Sequence, residues 1–94
     1  MPIRSFNGKL AAAVFEGKAP RRLPPDLTRR LLIKLRVIDQ AEGLHYFASL
    51  PGLHFEALAG DREGQYSIRV NRQWRVCFRW RDGDAYDVEF VDYH

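Results

Sequence analysis

One cysteine, one methionine and three histidines supply all the sulfur and imidazole of this 94-residue chain. Cys77 has no second cysteine to pair with, which excludes an internal disulfide, and the scattered His45, His54 and His94 make no metal-binding framework. Cys77 is expected to pack within a strand. No apolar run approaches the roughly 18 residues that would cross a bilayer, and Met1-Pro2-Ile3-Arg4 lacks the charged start and apolar core of a secretory signal. These absences predict a soluble, cytoplasmic protein with no membrane partner. Repeats and low-complexity stretches are missing too. What is present, 46% hydrophobic and 13% aromatic residues, is enough to bury a modest core in one domain spanning residues 1–94.

The net charge of +3 is unevenly spread. Residues 1–38 hold nine basic side chains against Glu16 and Asp26, whereas residues 39–94 hold six basic and ten acidic ones. Twelve of the fifteen basic residues are arginine, whose planar fork suits phosphate better than a lysine point charge does. The pattern fits a nucleic-acid partner and equally a solvated basic helix.

Ile3-Arg4-Ser5-Phe6 alternates apolar and polar residues, as a short first strand would. Asn7 can cap a helix that turns Leu10, Val14 and Phe15 inward and stops at Gly17. After a basic linker, Pro24-Pro25-Asp26 opens a second helix. Leu27, Leu31, Leu35 and Ile38 recur there at spacings of four, four and three, as one buried stripe, and Gly43 is the expected end. Arg29, Arg30, Lys34 and Arg36 occupy its other sides. Leu44 to Gly52 is a connector with no assigned structure.

From Leu53 the period becomes two, the mark of an antiparallel sheet. Strands are expected over Leu53 to Leu58, around Tyr66-Ile68-Val70, around Trp74-Val76-Phe78-Trp80, and around Tyr86-Val88-Phe90, each trio or quartet facing the core. The result is an α+β fold with an N-terminal strand and two helices packed on a small, twisted, mainly antiparallel sheet. Residues opposite one another across a ladder must share a face. A three-residue turn at Asn71-Arg72-Gln73 then sets Ile68 against Val76 and Arg69 against Arg75. A three-residue turn at Asp82-Gly83-Asp84 sets Trp80 against Tyr86, Phe78 against Val88 and Arg79 against Asp87.

The Arg69–Arg75 pair is the anomaly. Like charges directly opposed cost up to about 1 kcal/mol, a penalty that a bound anion removes and that nearby carboxylates also remove. The fourth-strand residue opposite Arg75 is Val91, not an acid, and that strand runs on into Asp92-Tyr93-His94. Two arginines beside an Asp, a Tyr and a His can hold a phosphodiester and move its protons.

The run from Gly60 through Ser67-Ile68-Arg69-Val70-Asn71 and Trp74-Arg75 to Phe78-Arg79-Trp80, with the closing Asp92-Tyr93-His94, resembles the HigB, or plasmid-maintenance killer, toxins of the RelE/ParE superfamily. The N-terminal strand and the Arg- and Leu-rich helix fit as well, so the resemblance covers essentially the whole chain. It implies an endoribonuclease that enters the ribosomal A site and cuts messenger RNA there without metal or cofactor. It implies Arg69 and Arg75 as phosphate clamps, and Asp92, Tyr93 and His94 as the groups that orient the nucleotide and share acid and base work. Arg29, Arg30, Lys34, Arg62 and Arg79 are candidate RNA contacts. The implied partners are a helix-turn-helix antitoxin of the HigA type, the ribosome and its message, and, through the antitoxin complex, promoter DNA.

Departures from the pattern matter. Some relatives carry Leu-His-Pro-Leu-Lys before the Gly-Asp loop, whereas this chain has Phe55-Glu56-Ala57-Leu58-Ala59. Glu56 can act as a base in place of the histidine, with His54 a nearby substitute, and Ala59 removes a phosphate contact. Two other readings stay open at this point. One is a ParE-like, non-enzymatic inhibitor of DNA gyrase, since a shared scaffold does not fix a target. The other, suggested by Ala59, is a weakened toxin kept as an antitoxin-binding module; separately, Tyr93 and His94 also read as a plain polar tail.

Overall fold

The computed structural model describes residues 2–92. Three helices, α1 (Lys9–Phe15), α2 (Pro25–Gln40) and α3 (Leu44–Ser49), precede four strands, β1 (Glu56–Ala57), β2 (Gln65–Arg69), β3 (Trp74–Arg81) and β4 (Asp84–Asp92). The sheet is antiparallel in the order β1-β2-β3-β4. The α+β expectation holds. Among the described residues, no helix is long and apolar enough to cross a membrane.

The α2 stripe carries the core. Leu31, Leu35 and Ile38 are fully buried against Ile68, Val76, Phe78 and Val88 of the sheet, and each such side chain contributes roughly 1.5–3 kcal/mol by leaving water. Proline at N1, with no amide hydrogen to lose, starts the helix. It ends at Gln40, three residues before the expected Gly43, because Ala41 turns extended. Gly43 instead precedes α3 within the unassigned connector, and α3 delivers Phe47 into the core, where its ring packs against Phe55, Phe78 and Trp80. In α1 the flanking residue is Gly8, with no side-chain cap, so Asn7 does not play the part the sequence suggested. Its C-terminus closes as anticipated: Gly17 has φ +94°, and the amides of Gly17 and Lys18 bond the carbonyls of Val14 and Ala13, a Schellman closure.

Register between β2 and β3 matches the sequence reading, with Ile68 opposite Val76 and Arg69 opposite Arg75. Between β3 and β4 it does not. The turn has two residues, Asp82 and Gly83, both at positive φ, as the tight turn of an Asp-Gly hairpin requires. This pairs Arg81 with Asp84, Trp80 with Ala85 and Arg79 with Tyr86. A one-residue bulge near Asp87, itself at φ +53°, then restores the expected pairing of Val76 with Phe90. Ala85 therefore takes the core position foreseen for Tyr86, and Tyr86 turns to the Arg79 face, where the Arg81 guanidinium sits 4.7 Å from its ring centre.

The bulge also shapes the N-terminal segment, which forms two isolated parallel bridges to β4, Ile3 to Ala85 and Phe6 to Val88, rather than the continuous strand foreseen. Between them the bulged Asp87 amide donates to Ser5 Oγ at 2.9 Å. The strand expected over Leu53 to Leu58 shortens to β1 because His54, at φ +50°, kinks the backbone.

Candidate functional site

That kink builds the centre of the candidate site. On either side of it the Leu53 carbonyl accepts from the Arg69 amide at 2.7 Å and the His54 carbonyl accepts from Arg75 Nη2. Arg75 is further held by Ser67 Oγ, 2.8 Å from its Nε, and by Glu56, whose carboxylate lies 3.2 Å from Nη2. Its side chain is 8% exposed while that of Glu56 is 50% exposed. A guanidinium buried this far is tolerated only with its donors engaged. A neutralising carboxylate thus comes from β1, across β2, while the β4 residue opposite Arg75 is Val91.

Arg69, half-buried, donates from Nε to the Asn71 carbonyl at 3.0 Å, and its Nη1 lies 3.3 Å from His54 Nε2. As acceptor that ring nitrogen has no hydrogen, leaving the proton on Nδ1. Behind the pair, Cys77 is buried as expected. Burial pushes its thiol pKa up; Glu89 adds to this, and the positive charges of Arg62 and Arg75 oppose it. A neutral, enclosed thiol is a packing group and not a nucleophile.

Arg69, Arg75, Glu56 and His54 are therefore brought together. Asp92 pairs with Trp74, one residue beyond Val91, so strand alternation puts its side chain on the opposite face from Arg75 at the same end of the sheet. There Gln73 Nε2 donates to Asp92 Oδ2 at 3.2 Å. Tyr93 and His94 lie outside the described residues.

Of the candidate RNA contacts, Arg62 is occupied internally, bonding Gln65 and Glu89 at 3.0 and 3.1 Å. Arg79 lies 3.6 Å from Asp87, and Arg29 and Arg30 share Asp26. Arg30 and Lys34 also line a cavity of about 510 Å³ with His54, Arg69 and Arg72. Sequence reasoning missed Ser67 and Arg72. Ser67 was findable, since it faces Cys77 across the ladder, two residues from Arg69 and therefore on the face of Arg69 and Arg75.

Residues 4–94 match the family model described as the RelE-like toxin of the type II toxin–antitoxin system HigB. The chain is 36% identical over 93 residues to Endoribonuclease HigB of Proteus vulgaris, covering 98% of this chain and 99% of that protein. It is 37% identical over 90 residues to Toxin HigB-1 of Vibrio cholerae serotype O1, covering 95% and 94% respectively. Among solved structures it resembles the toxin of the YoeB–YefM complex from Staphylococcus aureus, with a TM-score of 0.63 at 17% identity over 100% of this chain and 99% of that one, a likeness of fold.

Proposed function

This chain belongs to the HigB-like family of RelE-like toxins from type II toxin–antitoxin systems, and from that premise we propose that it is an endoribonuclease that cuts messenger RNA in the ribosomal A site. One observation carries the reading beyond the family: two directly opposed arginines, one of them buried, on a sheet face whose half-exposed Glu56 is the carboxylate beside them. A scaffold serving stability alone would avoid that pair. A phosphodiester held at the pair balances its charge together with Glu56.

In the proposed reaction the ribose 2′-oxygen bonds to its adjacent phosphorus, the bond from phosphorus to the 5′-oxygen breaks, one proton leaves the 2′-hydroxyl and another reaches the departing oxygen. Arg75, fixed by Ser67, His54 and Glu56, and Arg69, fixed by Asn71 and His54, stabilise the charge on the non-bridging oxygens without reorganising. Tyr93 and His94 orient the nucleotide and share the two proton transfers, while Asp92, whose side chain lies on the other sheet face with Gln73, positions the end of β4 that precedes them. Glu56 anchors Arg75 and, half-exposed beside it, is the carboxylate we assign as a base. The partners are a helix-turn-helix antitoxin of the HigA type, which shuts the toxin off and with it represses their promoter, and the translating ribosome of the cytoplasm.

Translation of a defined message in vitro, with 5′ ends mapped by primer extension, tests this. Codon-phased cuts are expected with the intact chain, and none with Arg75→Ala or with a chain truncated before Asp92. An intact message together with inhibited gyrase supercoiling would overturn the reading.

A further inference from the structure

The cavity beside Arg69 shares Arg69 and His54 with the chemistry just described, but the rest of its lining has no part there and is unusual. Arg30 and Lys34 reach it from successive turns of α2, Arg69 from the end of β2, Arg72 from the β2–β3 turn and His54 from the kink before β1. Four cations converge on about 510 Å³, and among the described residues no carboxylate lines it. Asp26, which meets Arg30 Nε at 3.3 Å and is shared with Arg29, stands outside the lining.

The arrangement is built, not incidental. Asn71 Oδ1 accepts from the amides of Gln73 and Trp74, each at 2.8 Å, which locks the turn that carries Arg72. Arg69 is held toward His54 and Asn71. Lys34 and Arg30 stand one helical turn apart on α2, flanking the stripe that is clamped in the core. Convergence of like charges is unfavourable until an anion occupies the space, and a cavity of this size admits a nucleotide-sized group.

We infer that this cavity is a second phosphate seat that takes a backbone phosphate of single-stranded RNA next to the nucleotide being cut. Arg69 belongs to both sites, so an RNA strand spans them through one guanidinium. Arg30, Lys34 and Arg72 act on placement and leave the proton transfers to the other site. For the identity of its polyanion the inference rests on the endonuclease reading.

The test measures binding of a 2′-O-methyl oligoribonucleotide, which cannot be cut, by fluorescence anisotropy across a salt series. The unaltered chain is compared with Lys34→Ala/Arg72→Ala and with a charge-matched control, Arg21→Ala/Arg22→Ala, in the exposed linker. Removing one seat lowers the slope of log affinity against log salt by about 0.7, the value for one phosphate of a single strand, and weakens binding severalfold at about 0.1 M salt. The control keeps the unaltered slope. Thermal unfolding of both variants, which lose only partly or fully exposed side chains, is expected to match that of the unaltered chain.

Equal slopes for the two double variants, or no binding by the unaltered chain, would overturn the inference. So would binding of inorganic phosphate, followed by calorimetry, without binding of the oligonucleotide, since the seat would then serve a free anion. A protein that binds the oligonucleotide through Lys34 and Arg72 yet never cuts a message keeps the seat and loses the nuclease reading. One that cuts while the pocket variant binds unchanged loses the seat alone.

Discussion

The Arg75 guanidinium and the Glu56 carboxylate lie 3.2 Å apart, one enclosed by the protein and the other half in water. On the proposed endonuclease reading, that asymmetry lets Glu56 stand in for the phosphate. Glu56→Gln keeps the shape and removes the charge. The exposed half of the pair limits its stabilising effect to about 1 kcal/mol or less. Loss of the competing anion is expected to tighten binding of an uncleavable oligoribonucleotide severalfold. Weaker binding by this variant would contradict the stand-in role.

Arg75→Lys keeps the charge and loses the fork. One ammonium does not reproduce the donor geometry that serves Ser67 Oγ, the His54 carbonyl and Glu56 together. A loss of about 1–3 kcal/mol is expected from the group left unsatisfied, each kcal/mol lowering Tm by roughly 4–8 °C for a domain of this size. Cutting should fall at least tenfold. Full cutting activity in Arg75→Lys would show that a point charge suffices there.

The bulge gives a prediction about backbone alone. Asp87 sits at φ +53° in contact with Arg79 across 3.6 Å of mostly exposed surface. Asp87→Gly relieves the conformation at the expense of a weak ion pair and should leave Tm nearly unchanged. Asp87→Val, with a branched Cβ in the left-handed region, should cost about 1–3 kcal/mol. Equal melting temperatures for the two would show that the bulge relaxes freely.

Cys77 connects burial to pH. Its thiol proton is held more tightly in the folded chain, chiefly by burial, than in the unfolded one, where thiols titrate at about 8.5. Its contribution to stability is therefore complete below that pH. Above it the unfolded chain loses the proton while the folded chain keeps it, so stability falls as pH rises. Urea midpoints at pH 7 and 9.5 should show a smaller alkaline decline in Cys77→Ala than in the unaltered chain. Aromatic disulfide reagents should label Cys77 slowly until the chain is denatured. An equal decline in both chains would place the alkaline sensitivity elsewhere.

Much of this architecture is legible in one dimension. The α2 stripe is readable because only one side of a helix can meet a sheet, and Leu27, Leu31, Leu35 and Ile38 mark that side. The β2–β3 register is readable because slipping it by one would expose Ile68 and Val76. The β3–β4 register defeats the same reasoning. A two-residue turn plus a bulge and a three-residue turn without one both pair Val76 with Phe90, and they differ only in where Ala85 and Tyr86 point. Within the site, Arg69 and Arg75 were visible as a like-charge pair on adjacent strands. The Glu56 contact was not, because it depends on β1 docking beyond β2 and on a kink at His54 that alternation cannot encode. Arg72 sits in a turn, where side chains have no face to be assigned.

The two bridges from Ile3 and Phe6 to Ala85 and Val88 bear on the order of events at the ribosome that makes the chain. Segments separated by some eighty residues meet, with the Arg4 amide on the Ala85 carbonyl and the Asn7 amide on the Val88 carbonyl. At about 5–20 residues per second, the early segment waits several seconds for its partner to be synthesised. The tertiary structure closes late, so a nascent chain that has not yet emerged past Val88 lacks the completed sheet.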